Sequence, residues 1–236
     1  MKDRLTSTEV KKLIERIYRK RFFAKRIDIT PDLLRLVEQA FVENVPLKLF
    51  YLWGIHKREQ MNKYDEIALS FLALFIEHVK NELSCPIDFT LVLSDVHARI
   101  NEISVSSINY YRDAIARWAL EKKWNIRMLS DIWDNYGLKQ NKIIEIAEEI
   151  PDESIDDLLL SFAVKYFTGS DKMIGAKRYY VARQMEKAII EKEFGDSIHV
   201  TAADKRLLYL QPQLPHFQVW SLGKGRSNKP WFLNGK

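Results

Sequence analysis

Residues 91–101, LVLSDVHARIN, carry an apolar run straight into Asp95, His97 and Arg99. A carboxylate, an imidazole and a guanidinium at this spacing can orient a proton carrier, move a proton near neutral pH and clamp an anion. If the chain stays extended past Asp95, residues two apart project to the same side and the three groups converge on one crevice. Loops at strand ends carry function disproportionately. The other account is local: Asp95 could cap a turn while His97 and Arg99 ion-pair on a surface loop.

A second polar cluster follows the preceding apolar run. WGIHKRE places His56, Lys57, Arg58 and Glu59 in a row, either a phosphate- or carboxylate-binding rim or an ordinary polar loop. Further on, Tyr179, Arg183 and Glu186 lie at spacings of four and three, so they share a helix face. A solvent-exposed Arg–Glu pair is the ordinary account of that spacing. Ser197 and His199 alternate with Ile198 and Val200 on a half-buried strand, which turns His199 away from the apolar pair.

These groups need a frame, and the chain reads as alternating helices and strands. Caps precede helices over residues 8–24 and 31–43. VPLKLFYLWG is a strand over 46–53 closed by Gly54, and the Ile67, Phe71, Phe75 and Val79 stripe is a helix. DFTLVLSD is a continuous apolar strand of the kind covered on both faces. Ile108, Tyr111, Ile115 and Trp118 give the next helix, NIRMLSDIW a short third strand, and residues 138–168 and 172–194 further helices. SIHVTA, RLLYLQ and FQVWSL read as three short antiparallel strands. The expected fold is α/β: a three-layer sandwich with a mainly parallel sheet, helices on both faces and an antiparallel C-terminal extension. Residues 1–44 would be a helical segment packed on a catalytic domain of residues 45–236.

Composition narrows the function classes. The 236 residues are 47% apolar and 29% charged, which suits a packed core rather than disorder. One cysteine, Cys85, excludes an intramolecular disulfide and a multi-cysteine metal site. The histidines are too scattered to point to a metal site, and no glycine-rich nucleotide loop or nucleophile-elbow motif occurs. Residues 1–30 are too charged for a secretory leader and residues 67–76 too short to cross a bilayer, so a soluble cytoplasmic protein is expected. Residues 1–27 hold ten Lys/Arg against three Asp/Glu, and residues 205–236 six against none. Basic ends can attract nucleic acid, a phosphorylated metabolite or an acidic partner, or can simply be solvated faces.

In order along residues 45–232, four patches resemble the isocyanide (isonitrile) synthases of the pyoverdine/dityrosine biosynthesis group. They are LKLFYLWGIHK with YDEIAL, FTLVLSD, KRYYVARQMEKAI with DSIHV, and Pro230-Trp231. Val96, Val200 and Phe232 stand where that family has glycine, proline and histidine. LVLSDVHARIN is also similar to a strand-to-loop segment of tyrosyl-tRNA synthetases, and the length and layout to cyclodipeptide synthases. The main resemblance implies a Rossmann-like enzyme of secondary metabolism, without cofactor, that condenses an amino acid amine with ribulose 5-phosphate.

It also implies roles. Lys57, Arg99 and Arg183 would hold anions or polarise carbonyls, helped by His56, Arg58, Arg178 and Ser197. His97 and His199 would exchange protons, and Asp95 would orient a histidine or bind the amine. Trp53 and Tyr111 would line an aromatic pocket or pack in the core. The weaker likenesses imply an aminoacyl-tRNA-dependent transferase, with tRNA as partner; a non-catalytic binding module is the third reading.

Overall fold

The computed structural model describes residues 5–55, 61–202 and 205–220. The chain begins with α1 (Ser7–Ile17), set by a capping box in which the Thr6 hydroxyl accepts the Glu9 N–H and the Glu9 carboxylate accepts the Thr6 N–H. The helix expected over 8–24 stops at Ile17, because Tyr18 turns to extended backbone. Thr30 caps α2 (Pro31–Glu43), with Pro31 in the first turn, where its missing N–H is harmless. Then follow β1 (Leu47–Gly54), α3 (Lys63–Leu83), β2 (Ile87–Ser94), α4 (Asp95–Ile100), α5 (Val105–Glu121) and β3 (Asn125–Met128). After these come α6 (Leu129–Asn135), α7 (Gln140–Glu149), α8 (Asp157–Tyr166), α9 (Lys172–Glu193), β4 (Ile198–Thr201) and β5 (His216–Gln218).

The five strands form one sheet in the order β3-β2-β1-β4-β5, with every pair parallel. The expected antiparallel extension is therefore corrected. RLLYLQ is not a strand but a 3-10 turn over Lys205–Leu210, whose Leu207 and Leu210 bury against α8 and α9. That turn is the crossover that brings β5 back in the same direction as β4. Among the described residues, antiparallel pairing in this region is reduced to a single bridge between Phe23 and Val219.

Alternate side chains of the sheet feed two cores. Leu49, Leu91, Ile198 and Phe217 pack with α1, α2, α3 and α5 on one face. Phe50 and Val92 pack with α4, α6, α7 and α9 on the other. Trp53, Phe89 and Leu93 join the first face and leave the second to receive His199. Fully burying one such aromatic or aliphatic side chain contributes roughly 1.5–3 kcal/mol, so both layers are held firmly to the sheet. Among the described residues no helix is long and apolar enough to cross a membrane.

Candidate functional site

β1 and β2 end level with each other, Gly54 opposite Ser94, and the chain beyond Ser94 changes direction at once. Residues 95–100 are helical, so the projection of Asp95, His97 and Arg99 to one side of an extended loop does not occur. Four residues apart on a helix, Asp95 and Arg99 instead face each other, with Arg99 Nη2 donating to Asp95 Oδ2 over 2.8 Å. Asp95 Oδ1 accepts the backbone N–H of Ser130 at 3.0 Å, in the first turn of α6. Fully buried, Asp95 thus joins two helix starts and takes the capping role.

His97 turns to a different partner. Its Nε2 lies 2.8 Å from Glu186 Oε2 on α9. A carboxylate only accepts, so Nε2 carries a proton, and in the neutral ring Nδ1 holds the lone pair. Arg183 Nη1 donates to the other oxygen of Glu186, one helical turn away. Tyr179 and Trp133 meet the imidazole edge-on, at 5.7 and 6.1 Å between ring centres, and the Arg183 guanidinium sits 6.0 Å over the Tyr179 ring. Glu186 is 2% exposed and Arg183 6%, so the pair read as solvent-exposed is interior.

Ala176, Tyr179, Arg183, Glu186 and Ile190 repeat at spacings of three and four. Ala176 and Ile190 are fully buried, and that apolar flanking is the sequence signal that this face points inward.

Burial acts to raise the Glu186 pKa, yet the charges and hydrogen bonds of His97 and Arg183 outweigh it and hold the carboxyl below its ordinary range. Burial likewise acts to lower Arg183, but Glu186 and Tyr179 reverse the sign, so the guanidinium stays charged. Two buried donors beside this cluster, Arg183 Nε and Trp133 Nε1, have no acceptor among the described residues.

His199 lies deeper. It pairs in register with Phe50, in the middle of β1, and stacks on that ring at 4.7 Å. β4 is buried along its whole length rather than half-buried, and His199 is 2% exposed. Burial first, then the charges of Arg183 and His216, push its pKa down to about 3, so it is neutral at physiological pH. Ser197 is buried, and its N–H donates to the Phe194 carbonyl at the end of α9. Arg178 donates to Glu102 at 2.9 Å and lies over the Phe167 ring.

His56, Lys57 and Arg58, like Pro230, Trp231 and Phe232, lie outside the described residues. Trp53 Nε1 donates to the Tyr111 hydroxyl at 3.1 Å, which donates to Asp65 Oδ1 at 3.0 Å, a buried chain beside the end of β1. Asp65 also accepts the Asn62 N–H, fixing the start of α3.

Of the expected residues, the structure gathers His97 and Arg183 around Glu186 and sets His199 behind Arg183. It commits Asp95 to Arg99 and Ser130, and Arg178 to Glu102. Among the described residues, no three His, Cys, Asp or Glu side chains gather as a metal site.

A parallel sheet in this order, with helices on both faces, defines a Rossmann-like α/β protein. No protein-family model matches the sequence, and no curated protein matches it. Solved structures do. The PvcA protein of Pseudomonas aeruginosa matches with a TM-score of 0.53 and 15% identity over 95% of this chain and 87% of its own. Tyrosyl-tRNA synthetase of Archaeoglobus fulgidus, complexed with L-tyrosine, matches at 0.48 and 13% over 92% of this chain and 64% of its own. CDPS of Staphylococcus haemolyticus matches at 0.47 and 12% over 85% and 98%. The distant resemblance read from the sequence is borne out at the level of fold.

Proposed function

We propose that this chain is a biosynthetic enzyme of the isocyanide-synthase type, condensing the amine of an amino acid with a ketose phosphate such as ribulose 5-phosphate. The observation that carries the reading is the buried His97–Glu186–Arg183 line just past the end of β2. Ligands of open parallel sheets bind outside the carboxyl ends of the strands. Glu186 fixes the His97 tautomer, and Arg183 fixes Glu186. An imidazole held this way is a proton carrier with its lone pair at Nδ1.

The first chemical step suits that group. His97 Nδ1 takes a proton from the substrate ammonium, and the free amine attacks the ketone carbon to form a carbinolamine. The attacking nitrogen passes a proton to the new alkoxide, His97 returns its own proton to the carbinolamine hydroxyl, the nitrogen lone pair expels water, and the protonated imine remains. The buried Arg183 Nε–H and Trp133 Nε1–H offer donors for a substrate oxygen. Lys57, with His56 and Arg58, is assigned to the phosphate, and Arg99, whose side chain remains 43% exposed, to the same anion from the β2 side. His199 is assigned to holding the Arg183 side of the cluster, since a neutral, stacked imidazole is a poor proton carrier at pH 7.

The test is incubation of purified protein with ribulose 5-phosphate and a pool of amino acids, read by mass spectrometry. A new product that is lost in His97→Gln, with the fold kept by circular dichroism, supports the reading. No product and no thermal shift with either component would falsify it.

A further inference from the structure

Apart from the strand-end cluster, a strongly basic surface runs over residues 11–26, with eight Lys/Arg and one acid, Glu15. All eight cations are exposed. Arg19 is spent on the protein itself, donating to Glu82 and to the Arg16 and Tyr18 carbonyls. Lys11, Lys12 and Arg16 on α1 form no ion pair with a described residue, and neither do Lys20, Arg21, Lys25 and Arg26 after it.

The frame that displays them is fixed. Val10, Ile14 and Ile17 anchor α1, at 1% exposure or less, and Phe22 and Phe23 anchor the following turn. Trp220 pins the same turn from the far end of the described chain. Its backbone N–H donates to the Phe22 carbonyl at 3.1 Å and its indole N–H to the Lys20 carbonyl at 2.8 Å. Arg21 is steadied 4.7 Å over the Phe22 ring.

We infer that this surface is a docking site for a phosphodiester backbone, that is, a nucleic acid. Two observations separate that partner from other polyanions. The apolar face of α1 is already used in the core, so the helix has nothing to insert into a lipid interface. No large apolar residue is exposed anywhere between residues 11 and 26, so the patch lacks the apolar centre of a protein interface. What remains is a rigid row of cations, the requirement for backbone contacts driven by counterion release.

The test uses the full chain and three probes: unfractionated tRNA, a DNA duplex of similar length, and phosphatidylserine vesicles, each titrated between 50 and 200 mM salt. RNA or DNA should bind with a linear fall of log affinity against log salt. Comparing the two probes tells which backbone is preferred. Replacing Lys11, Lys12, Arg16 and Lys20 by Gln should flatten that slope by about 3 and weaken binding at least tenfold at 100 mM salt. Replacing Lys122, Lys123, Lys139 and Lys142 by Gln should change neither, and thermal melts check that both variants fold. The inference is overturned by an absence of nucleic-acid binding at 50 mM salt, by an unchanged slope in the first variant, or by equal capture of vesicles. None of these readouts depends on catalysis, so the site assigned to His97 stands or falls separately.

Discussion

His97 Nε2 and Glu186 Oε2 meet 2.8 Å apart although 89 residues of chain separate them. The contact joins the helix that leaves β2 to the helix that leads into β4, on opposite sides of β1 in the sheet order. A proton carrier, its orienting carboxylate and the cation that holds the carboxylate are thereby brought together beneath the end of the sheet.

Glu186 can be removed in two ways with different consequences. Glu186→Ala leaves the buried Arg183 charge without its counterion and should destabilise the fold by roughly 3–5 kcal/mol in urea unfolding. Glu186→Gln retains an acceptor for the guanidinium and should lose clearly less. Equal losses would mean that the charge pairing is not what holds this helix face inside.

His199 makes stability depend on acid. Its folded pKa, about 3, lies below the unfolded value of 6.5, so between those limits only the unfolded chain takes up the proton. Stability should therefore fall as pH drops through this window, by about 2 kcal/mol between pH 7.5 and pH 5 from this group alone. Glu186, whose folded pKa lies below 4.5, adds its own loss only at lower pH. Chemical denaturation of wild type and His199→Phe, which keeps an aromatic ring against Phe50, measures the difference. The variant should be flatter across pH 5–7.5.

Asp95 is argued to hold structure, not to move protons. Asp95→Ala removes the acceptor of the Ser130 N–H and the partner of Arg99, and should cost roughly 2–3 kcal/mol. Most of that belongs to the buried half of the contact, since the Arg99 side chain is 43% exposed and screened. Asp95→Asn retains the carbonyl acceptor and should recover about half the loss in the same melts.

Gly175 is a packing constraint inside α9. A methyl group there would stand 2.5 Å from Phe167, whose ring is 1% exposed. The strain of overpacking, about 1–3 kcal/mol, should exceed the gain of about 1 kcal/mol in helix propensity. Gly175→Ala should thus lower Tm, and Gly175→Ala with Phe167→Leu should be less than additive in a double-mutant cycle.

The layers of the fold were legible because parallel strands covered on both faces write themselves as unbroken apolar runs. Thus β1 and β2 fell within a residue or so of their expected limits. Asp95–Ile100 was not legible, because DVHARI satisfies a two-residue alternation as well as the four-residue Asp–Arg spacing, and only the neighbouring Ser130 N–H decides between them. The short segments after residue 200 misled for a related reason. RLLYLQ has strand composition, but Leu207 and Leu210 find their burial against α8 and α9, which no local pattern reports. Glu186 was visible as a helix-face partner of Arg183 and was assigned to solvent. Placing it inside required weighing Ala176 and Ile190 on the same stripe.

The bridge from Phe23 to Val219 has a consequence for handling the molecule. With the Ala24 N–H on the Gln218 carbonyl and the Trp220 N–H on Phe22, the amino-terminal segment lies along the outer rim of β5 like a selvage. Trimming a recombinant chain to start after residue 24 would bare a row of open main-chain hydrogen-bonding groups, and such rims recruit strands from other copies. Shortened versions made for crystallisation or labelling should accordingly clump where the longer chain stays dispersed.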